Sequence, residues 1–470
     1  MRRAAFVLII LSAATCCAAE TIYVNAKGPN DPGTGAYKDP FRRIQDAIDS
    51  ADNNDTVIVA QGFYTPTSPT GIEFKGKPIT VRSTDSNNHN VVTATIIDSR
   101  QLGRCFYFHH GEDANSVLNG FTITNGHATY GGGLCCLNKS SPTITNCIIT
   151  SNSGEKGGAI ASVTSSPTIS NCIISGNSAD YGGGLSCVAA EPIIINCTIA
   201  DNKASIEGNA LACNSSQQQF PSNLLIINSI LWNGGDEVWN NDNSTITITY
   251  SDVQDGWPGE GNIDVDPCFA KIGYGDPNGT PDDANDDFWL NGDYHLKSKA
   301  GRWLPSIYVK LDLAGDGFIN LLDFAAFAHF WGKKGSCVPA DLDNNGVVDF
   351  FDLKLLSDNY LANYGPGTWI PDEVTSPCID AGNSSSNWTG EPWPNGKRIN
   401  VGAYGGTIQA SKNGNIADFN IDGIVNLVDF GYLACRWMTQ QKCIEDLSGD
   451  SSVDFADLAI LSNQWLTTWK

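Results

Sequence analysis

The chain has 470 residues, 28 Lys+Arg against 51 Asp+Glu, a formal charge of −23 and 41% apolar residues. That length supports several domains with full cores, and the acidic balance excludes a nucleic-acid binder, which needs clustered Lys and Arg against phosphate. With 17% charged residues, 48 Gly and only 2 Met, the composition favours turns and strands over a disordered tail or a coiled coil.

Taken from the N-terminus, Met1-Arg2-Arg3 precedes the apolar residues 4–11, and Cys17-Ala18-Ala19 precedes Glu20. A basic start, a short apolar run and small residues read as a secretory signal over 1–19. The run is too short to cross a bilayer, and no later stretch has eighteen consecutive apolar residues, so no transmembrane segment is expected. The mature chain is expected to be secreted or at the cell surface. It would keep an odd thirteen of the 15 cysteines, so some thiols should stay unpaired.

Residues 21–24 and 55–60 read as strands flanking an amphipathic segment over 41–48. A repeat then begins. Ser141-Pro142-Thr143-Ile144-Thr145-Asn146-Cys147-Ile148-Ile149 aligns without gaps with residues 166–174 and 191–199. Asn146, Asn171 and Asn196 are 25 apart, as are Cys147, Cys172 and Cys197. A second column runs through Leu134, Ile160, Leu185 and Leu211, with Cys136, Ser162, Cys187 and Cys213 two residues later on the same face. Short β-branched runs between Gly and Asn turns at this period mean one coil per repeat, each too small to bury its own face. Stacked coils place the Ile and Cys columns inward. The cysteines read as small buried hydrophobes, because parallel in-register side chains rarely meet disulfide torsions. The Asn146, Asn171 and Asn196 column is expected to carry the side-chain hydrogen bonds that pass from coil to coil.

Through these repeats the chain resembles the right-handed parallel β-helix family, pectate-lyase-like in the broad sense. Residues 21–60 resemble its entry cap, and Ser376-Pro377-Cys378-Ile379-Asp380-Ala381-Gly382 with Val401-Gly402-Ala403-Tyr404-Gly405-Gly406 resemble the closing segment of many bacterial surface β-helix proteins. The resemblance implies a mostly β fold and a polysaccharide as partner.

On the repeats, the residue before each Gly turn forms a column of Tyr130, Lys156, Tyr181 and Glu207. The position before it holds Thr129, Glu155, Asp180 and Ile206. Stacking would set Glu155 and Asp180 about one strand spacing apart. The two carboxylates could share calcium, Lys156 could act as base, and Tyr130 and Tyr181 could stack on sugar rings. The same residues also suit ordinary polar turns. No arginine lies between Arg104 and Arg302, so an arginine-based lyase site is absent from the repeats, as are the clustered Asp of a hydrolase. His109, His110 and His127 show no metal-ligand spacing and read as surface or cap residues. The tract Asp282-Asp283-Ala284-Asn285-Asp286-Asp287 reads as a solvated acidic loop or another cation site, the loop being preferred.

The C-terminal part contains four acidic loops. Asp418, Asn420, Asp422, Asn426 and Asp429 stand at loop positions 1, 3, 5, 9 and 12, with Gly423 at 6. Asp341, Asp343, Asn345, Asp349 and Asp352 repeat the frame around Gly346. Alternating oxygen donors around a Gly turn suit Ca2+. Two looser copies are Asp312, Asp316, Asn320 and Asp323, and Asp446, Ser448, Asp450, Asp454 and Asp457, where Ser451 replaces the Gly and should strain its turn. Each loop is followed by an apolar helix, and the loops fall in two pairs. Paired loop-helix units resemble the dockerin family, which implies calcium-bound all-α domains docking onto cohesin-like or other surface proteins. Dockerins present hydroxyl residues at positions 10 and 11. Here stand Leu321-Leu322, Phe350-Phe351, Leu427-Val428 and Phe455-Ala456, suited either to packing a two-helix core or to a different receptor.

The expected organisation is a signal over 1–19, a capped β-helix over 20–303, an inserted dockerin-like domain over 304–370, a closing segment over 371–411 and a second dockerin-like domain over 412–470. Three functional readings stay open: a calcium-dependent polysaccharide lyase, a polysaccharide binder without turnover, and a surface adhesin or assembly protein.

Overall fold

A computed structural model describes residues 19–213, 221–276, 288–305, 367–420, 424–440, 443–448 and 451–466. Between 306 and 366 it describes residues 313, 321–328, 330–334, 338, 340–342 and 346–358. The signal-like segment and the acidic tract 282–287 lie outside the described residues.

Residues 20–213 and 221–263 wind into a parallel β-solenoid. A nine-stranded sheet, an eight-stranded sheet and a six-stranded sheet run along it, and a four-stranded sheet joins over the middle coils. The ladders of these four sheets are parallel and, with one exception, in register: Ile144 pairs Ile169, Ile169 pairs Ile194, and Ile194 pairs Ile226. Period-2 alternation sends these isoleucines inward, where each is fully buried, while Thr145 and Ser170 face out. The Cys147, Cys172 and Cys197 column is buried and free of disulfides, as is the Cys136, Cys187 and Cys213 column. Dispersion and burial, not cross-links, hold these stacks together.

Gly157 shows why the turns need glycine. Its φ is +73°, and an added Cβ would meet the Ile160 carbonyl oxygen at 2.1 Å. Gly131 and Gly182 repeat the conformation in the neighbouring coils. The strand Lys203–Glu207 carries one extra residue, so the register slips between Ala179 pairing Ala204 and Tyr181 pairing Glu207. That bulge explains a 26-residue step in the Leu185 to Leu211 column.

The asparagine ladder differs from expectation. Asn146 reaches Asn119 at 3.0 Å, but Asn171 donates to the Ala403 and Gly405 carbonyls, and Asn196 to Gly405. The coil-to-coil ladder belongs instead to Asn152, Asn177 and Asn202, whose amides link at 3.0 and 2.9 Å and continue to Asn233. The reason is direction: Asn171 and Asn196 sit at φ near +50° on an outer corner, whereas Asn152, Asn177 and Asn202 are turned in and buried.

A second apolar cluster lies outside the coil. Ile148, Ile173 and Ile230 point away from the main core and are covered by Phe269, Tyr294 and residues 378–403. The segment expected to close the helix therefore runs along its flank: Gly402 N–H donates to Asn228 O, Ala403 N–H to Thr198 Oγ1, and Gln409 to Asn87 O. The last coil is instead packed by Trp257.

Beyond residue 305 the described residues hold four short helices, Leu321–Ala328, Phe350–Asp358, Leu427–Cys435 and Phe455–Asn463. The first two share one apolar cluster, with Phe327, Val348 and Leu356 at its centre, and the last two share another, around Phe419, Leu433 and Leu461. Strands Arg302–Pro305 and Gly367–Ile370 pair antiparallel, with Trp303 opposite Trp369. No helix among the described residues is long and apolar enough to cross a membrane.

Candidate functional site

The four-stranded sheet presents the candidate residues. Lys156 pairs with Tyr130 on one side and Tyr181 on the other. Its ammonium lies 6.0 Å from the centre of the Tyr130 ring. Tyr130 is exposed and Lys156 and Tyr181 are half-buried, so a file of ring, cation and ring stands at the sheet edge before the Gly turns. Tyr181 also stacks on Trp239, with ring centres 5.1 Å apart and planes 24° apart. Trp239 ends a register column whose earlier members are Tyr107, Cys135, Ala161, Ser186 and Ala212. Nothing in the repeat spacing marked it, because the last coil is lengthened after Cys213.

The same register sets Glu155 opposite Asp180, both exposed. Adjacent residues of a strand leave on opposite sides of the pleat, however. Ala179 is buried, Asp180 exposed and Tyr181 half-buried, which follows that alternation. The carboxylate pair therefore stands together, and Lys156 stands with the tyrosines; the pleat divides the expected triad. The bulge adds a further departure. Ser205, rather than Ile206, reaches Asp180, donating its hydroxyl at 2.7 Å.

The acidic loops share one backbone frame. Asp352 accepts Leu342 N–H with Oδ1 at 2.7 Å and Asp349 N–H with Oδ2 at 2.8 Å. Asp429 does the same for Phe419 and Asn426, and Asp457 for Ser448 and Asp454. The position-12 carboxylate is fully buried in all three loops. Positions 9 and 12 are also a helix capping box in the last two, with Asn426 and Asp454 as N-caps. Position 6 is left-handed, at φ +84° for Gly346 and +70° for Ser451, and its N–H meets the position-1 carboxylate of Asp341 or Asp446 at 2.9 Å. Asp418, Asp341 and Asp323 are buried and Asn420 is half-buried. Asp312, Asp316, Asn320, Asp343, Asn345, Asp422 and Asp450 lie outside the described residues. The donors described are all oxygen, the set that suits a hard dication. Phe350, Phe351, Leu427, Val428 and Phe455 are exposed, so the apolar pairs do not pack the two-helix cores. Leu321 and Leu322 have side chains outside the described set.

One grouping escaped the sequence. Glu73, His109 and His110 each offer a ligand atom, all within 4.8 Å of one another. His127 instead meets Ser153 at 2.9 Å. Local spacing gives these histidines the character of surface or cap residues, because Glu73 is a whole coil away in the chain and spacing along one segment cannot reveal it.

The family model for the right-handed beta helix region matches residues 80–253. No curated protein matches the sequence. Among solved structures, the pectate lyase Pel9A aligns over 55% of this chain and 84% of its own, at 13% identity and a TM-score of 0.28. The pectin methylesterase from Aspergillus niger aligns over 52% of this chain and 82% of its own, at 15% identity and a TM-score of 0.27. Likenesses this distant carry no chemistry over to this chain. The parallel ladders and the matched region together make residues 80–253 a right-handed β-helix.

Proposed function

We propose that this is an exported, calcium-binding modular protein whose β-helix binds an acidic polysaccharide, and whose paired acidic loops form dockerin-like modules that tether it to a partner. The observation carrying the glycan reading is the file of Tyr130, Lys156 and Tyr181, extended by Trp239. Aromatic faces stack on sugar rings, and an ammonium between them answers a uronate carboxylate. Glu155 and Asp180, opposite each other on the next face, offer oxygen donors to a bridging Ca2+, which would offset the repulsion between a −23 chain and a polyanion.

Binding without turnover is the better reading. A lyase would need Lys156 to take the uronate C5 proton beside the cation, as the C4–oxygen bond breaks and the C4–C5 double bond forms. The pleat sends Lys156 away from the carboxylate pair.

Support for the modules is the shared loop frame, the two separate apolar cores and the exposed aromatic and aliphatic residues at positions 10 and 11. The ribbon pairing Arg302–Pro305 with Gly367–Ile370 supports an insertion over 304–370, because it brings both ends of that stretch together. Export rests on the character of residues 1–19.

The test is titration of acidic and neutral polysaccharides, with calcium and with chelator, while ultraviolet absorbance is followed for unsaturated uronate. Tyr181→Ala and Trp239→Ala are each expected to weaken binding about tenfold, the worth of one aromatic contact. Product that disappears in Lys156→Ala would establish the lyase instead. Absence of binding to every glycan would leave the adhesin reading.

A further inference from the structure

The grouping of Glu73, His109 and His110 is built from two neighbouring coils. A parallel bridge between Ile72 and Phe106 sets the register. Phe74 and Phe108 point inward, fully buried with ring centres 4.9 Å apart. By alternation Glu73, Tyr107 and His109 face outward. The chain then turns at Gly76 in one coil and Gly111 in the next, both at positive φ. Glu112, almost fully buried, clamps the two turns by accepting Gly76 N–H and His110 N–H, each at 3.0 Å. The turn swings the His110 ring back onto His109, with centres 3.9 Å apart.

The Glu73 and His109 ligand atoms are held in place. Thr70 donates its hydroxyl to Glu73 Oε1 at 3.0 Å, and Glu73 Oε2 lies 3.4 Å from His109 Nε2. Two ligands of one tetrahedral zinc at about 2.0–2.1 Å stand about 3.4 Å apart by geometry. His109 Nε2 is shielded from solvent and makes no hydrogen bond. Tyr107 stacks on the His109 ring at 4.0 Å and 17°, which fixes its plane, and Arg104 covers Tyr107 at 4.4 Å. His110 is exposed, so the site has an entry path from solvent.

The structure assigns to Glu73, His109 and His110 a surface site for a transition-metal dication of the zinc class. Two imidazoles and one carboxylate form a mixed nitrogen and oxygen donor set that suits Zn2+ and is wrong for Ca2+, which takes six or more oxygens. The site differs from the acidic loops in ligand chemistry and shares no residue with the Tyr130–Trp239 file. A simple ion pair between His109 and Glu73 would leave His110 without a role.

The experiment is calorimetric titration of the full chain with Zn2+ in saturating Ca2+, which keeps the oxygen-donor loops out of the competition. One zinc per chain is expected at this site. His109→Ala, His110→Ala and the isosteric Glu73→Gln should each weaken it at least tenfold, with His127→Ala unchanged and all variants retaining the wild-type circular dichroism. Thr70→Val should weaken it severalfold, by loosening the carboxylate. Zinc binding that survives His109→Ala with His110→Ala, or no zinc binding by the wild-type chain, would overturn the assignment.

Discussion

Asn177 shows how a single side chain can hold three coils. Its amide donates to Ile149 O, Ser175 O and Asn202 Oδ1, and its oxygen accepts both the N–H and the side-chain amide of Asn152. Removing it leaves several buried groups unpaired, at about 1–3 kcal/mol each before relaxation. Asn177→Ala is expected to lower the unfolding free energy by about 2–4 kcal/mol in urea titration, whereas Asn171→Ala, on the outer corner, should cost about 1 kcal/mol. The ladder ends at Asn233 on Glu237, whose carboxyl burial pushes up from 4.5 to about 7. The folded state then holds a proton that the unfolded chain has lost, so stability falls as pH rises from about 4.5 to about 7. Glu391, also raised by burial to about 7, and Asp252, raised by burial to about 6, add to the same slope. Asp293 works oppositely: burial would raise it, but His295 and Arg302 bring it to about 2, so its contribution is lost only in strong acid, as pH falls from about 4 towards 2. Thermal melts should be highest near pH 4–5. Glu237→Gln should flatten the decline between pH 5 and 7, and an unchanged slope would show that the ladder end does not titrate.

At the scale of elements, the acidic loops and the helices they start are one device. The position-12 aspartate ties loop position 2 or 3 to position 9 and completes the helix cap, so the helix start and the loop shape are set together. Asp457 does this in the last loop although Ser451 occupies the left-handed corner at φ +70°. A side chain there costs about 1–2 kcal/mol. Ser451→Gly is expected to stabilise the C-terminal unit by roughly that amount at most and to raise its calcium affinity. Hydrogen exchange over 443–466, with calcium and with chelator, would measure both effects. Slower exchange in the variant is the expected result, and faster exchange would show that the serine is not strained.

For the whole molecule, the decisive feature is the strap over the flank of the β-helix. Residues 378–409 touch successive coils from Asn228 through Asn196 and Asn171 to His89, far apart in the chain. They cover Ile148, Ile173 and Ile230, each worth about 1.5–3 kcal/mol when buried. A chain ending after residue 370 should keep the β circular dichroism of the inner stack, lose several kcal/mol of stability and bind the apolar dye ANS. A truncated chain with wild-type stability would show that the strap only decorates the coil.

The repeat, the strand positions and the inward residues were legible in the sequence. Alternation is a local property, and Ile144, Ile169 and Ile194 declare it at a constant step of 25. The turn glycines and the left-handed strain at Ser451 were legible for the same reason. Spacing could not tell which asparagine column is turned inward, since Asn146 and Asn152 both recur every 25 residues and differ only in the direction the corner gives them. It could not explain the first isoleucine of each Ile-Ile pair either, Ile148 and Ile173, because their cover comes from residues about a hundred or more positions later. Trp239 on Tyr181, Ser205 on Asp180 and Glu73 beside His109 and His110 all depend on register between coils. Local chemistry fixes how each strand alternates; which side chains then meet is decided by stacking distant coils, where one extra residue at a bulge puts Ser205 rather than Ile206 against Asp180.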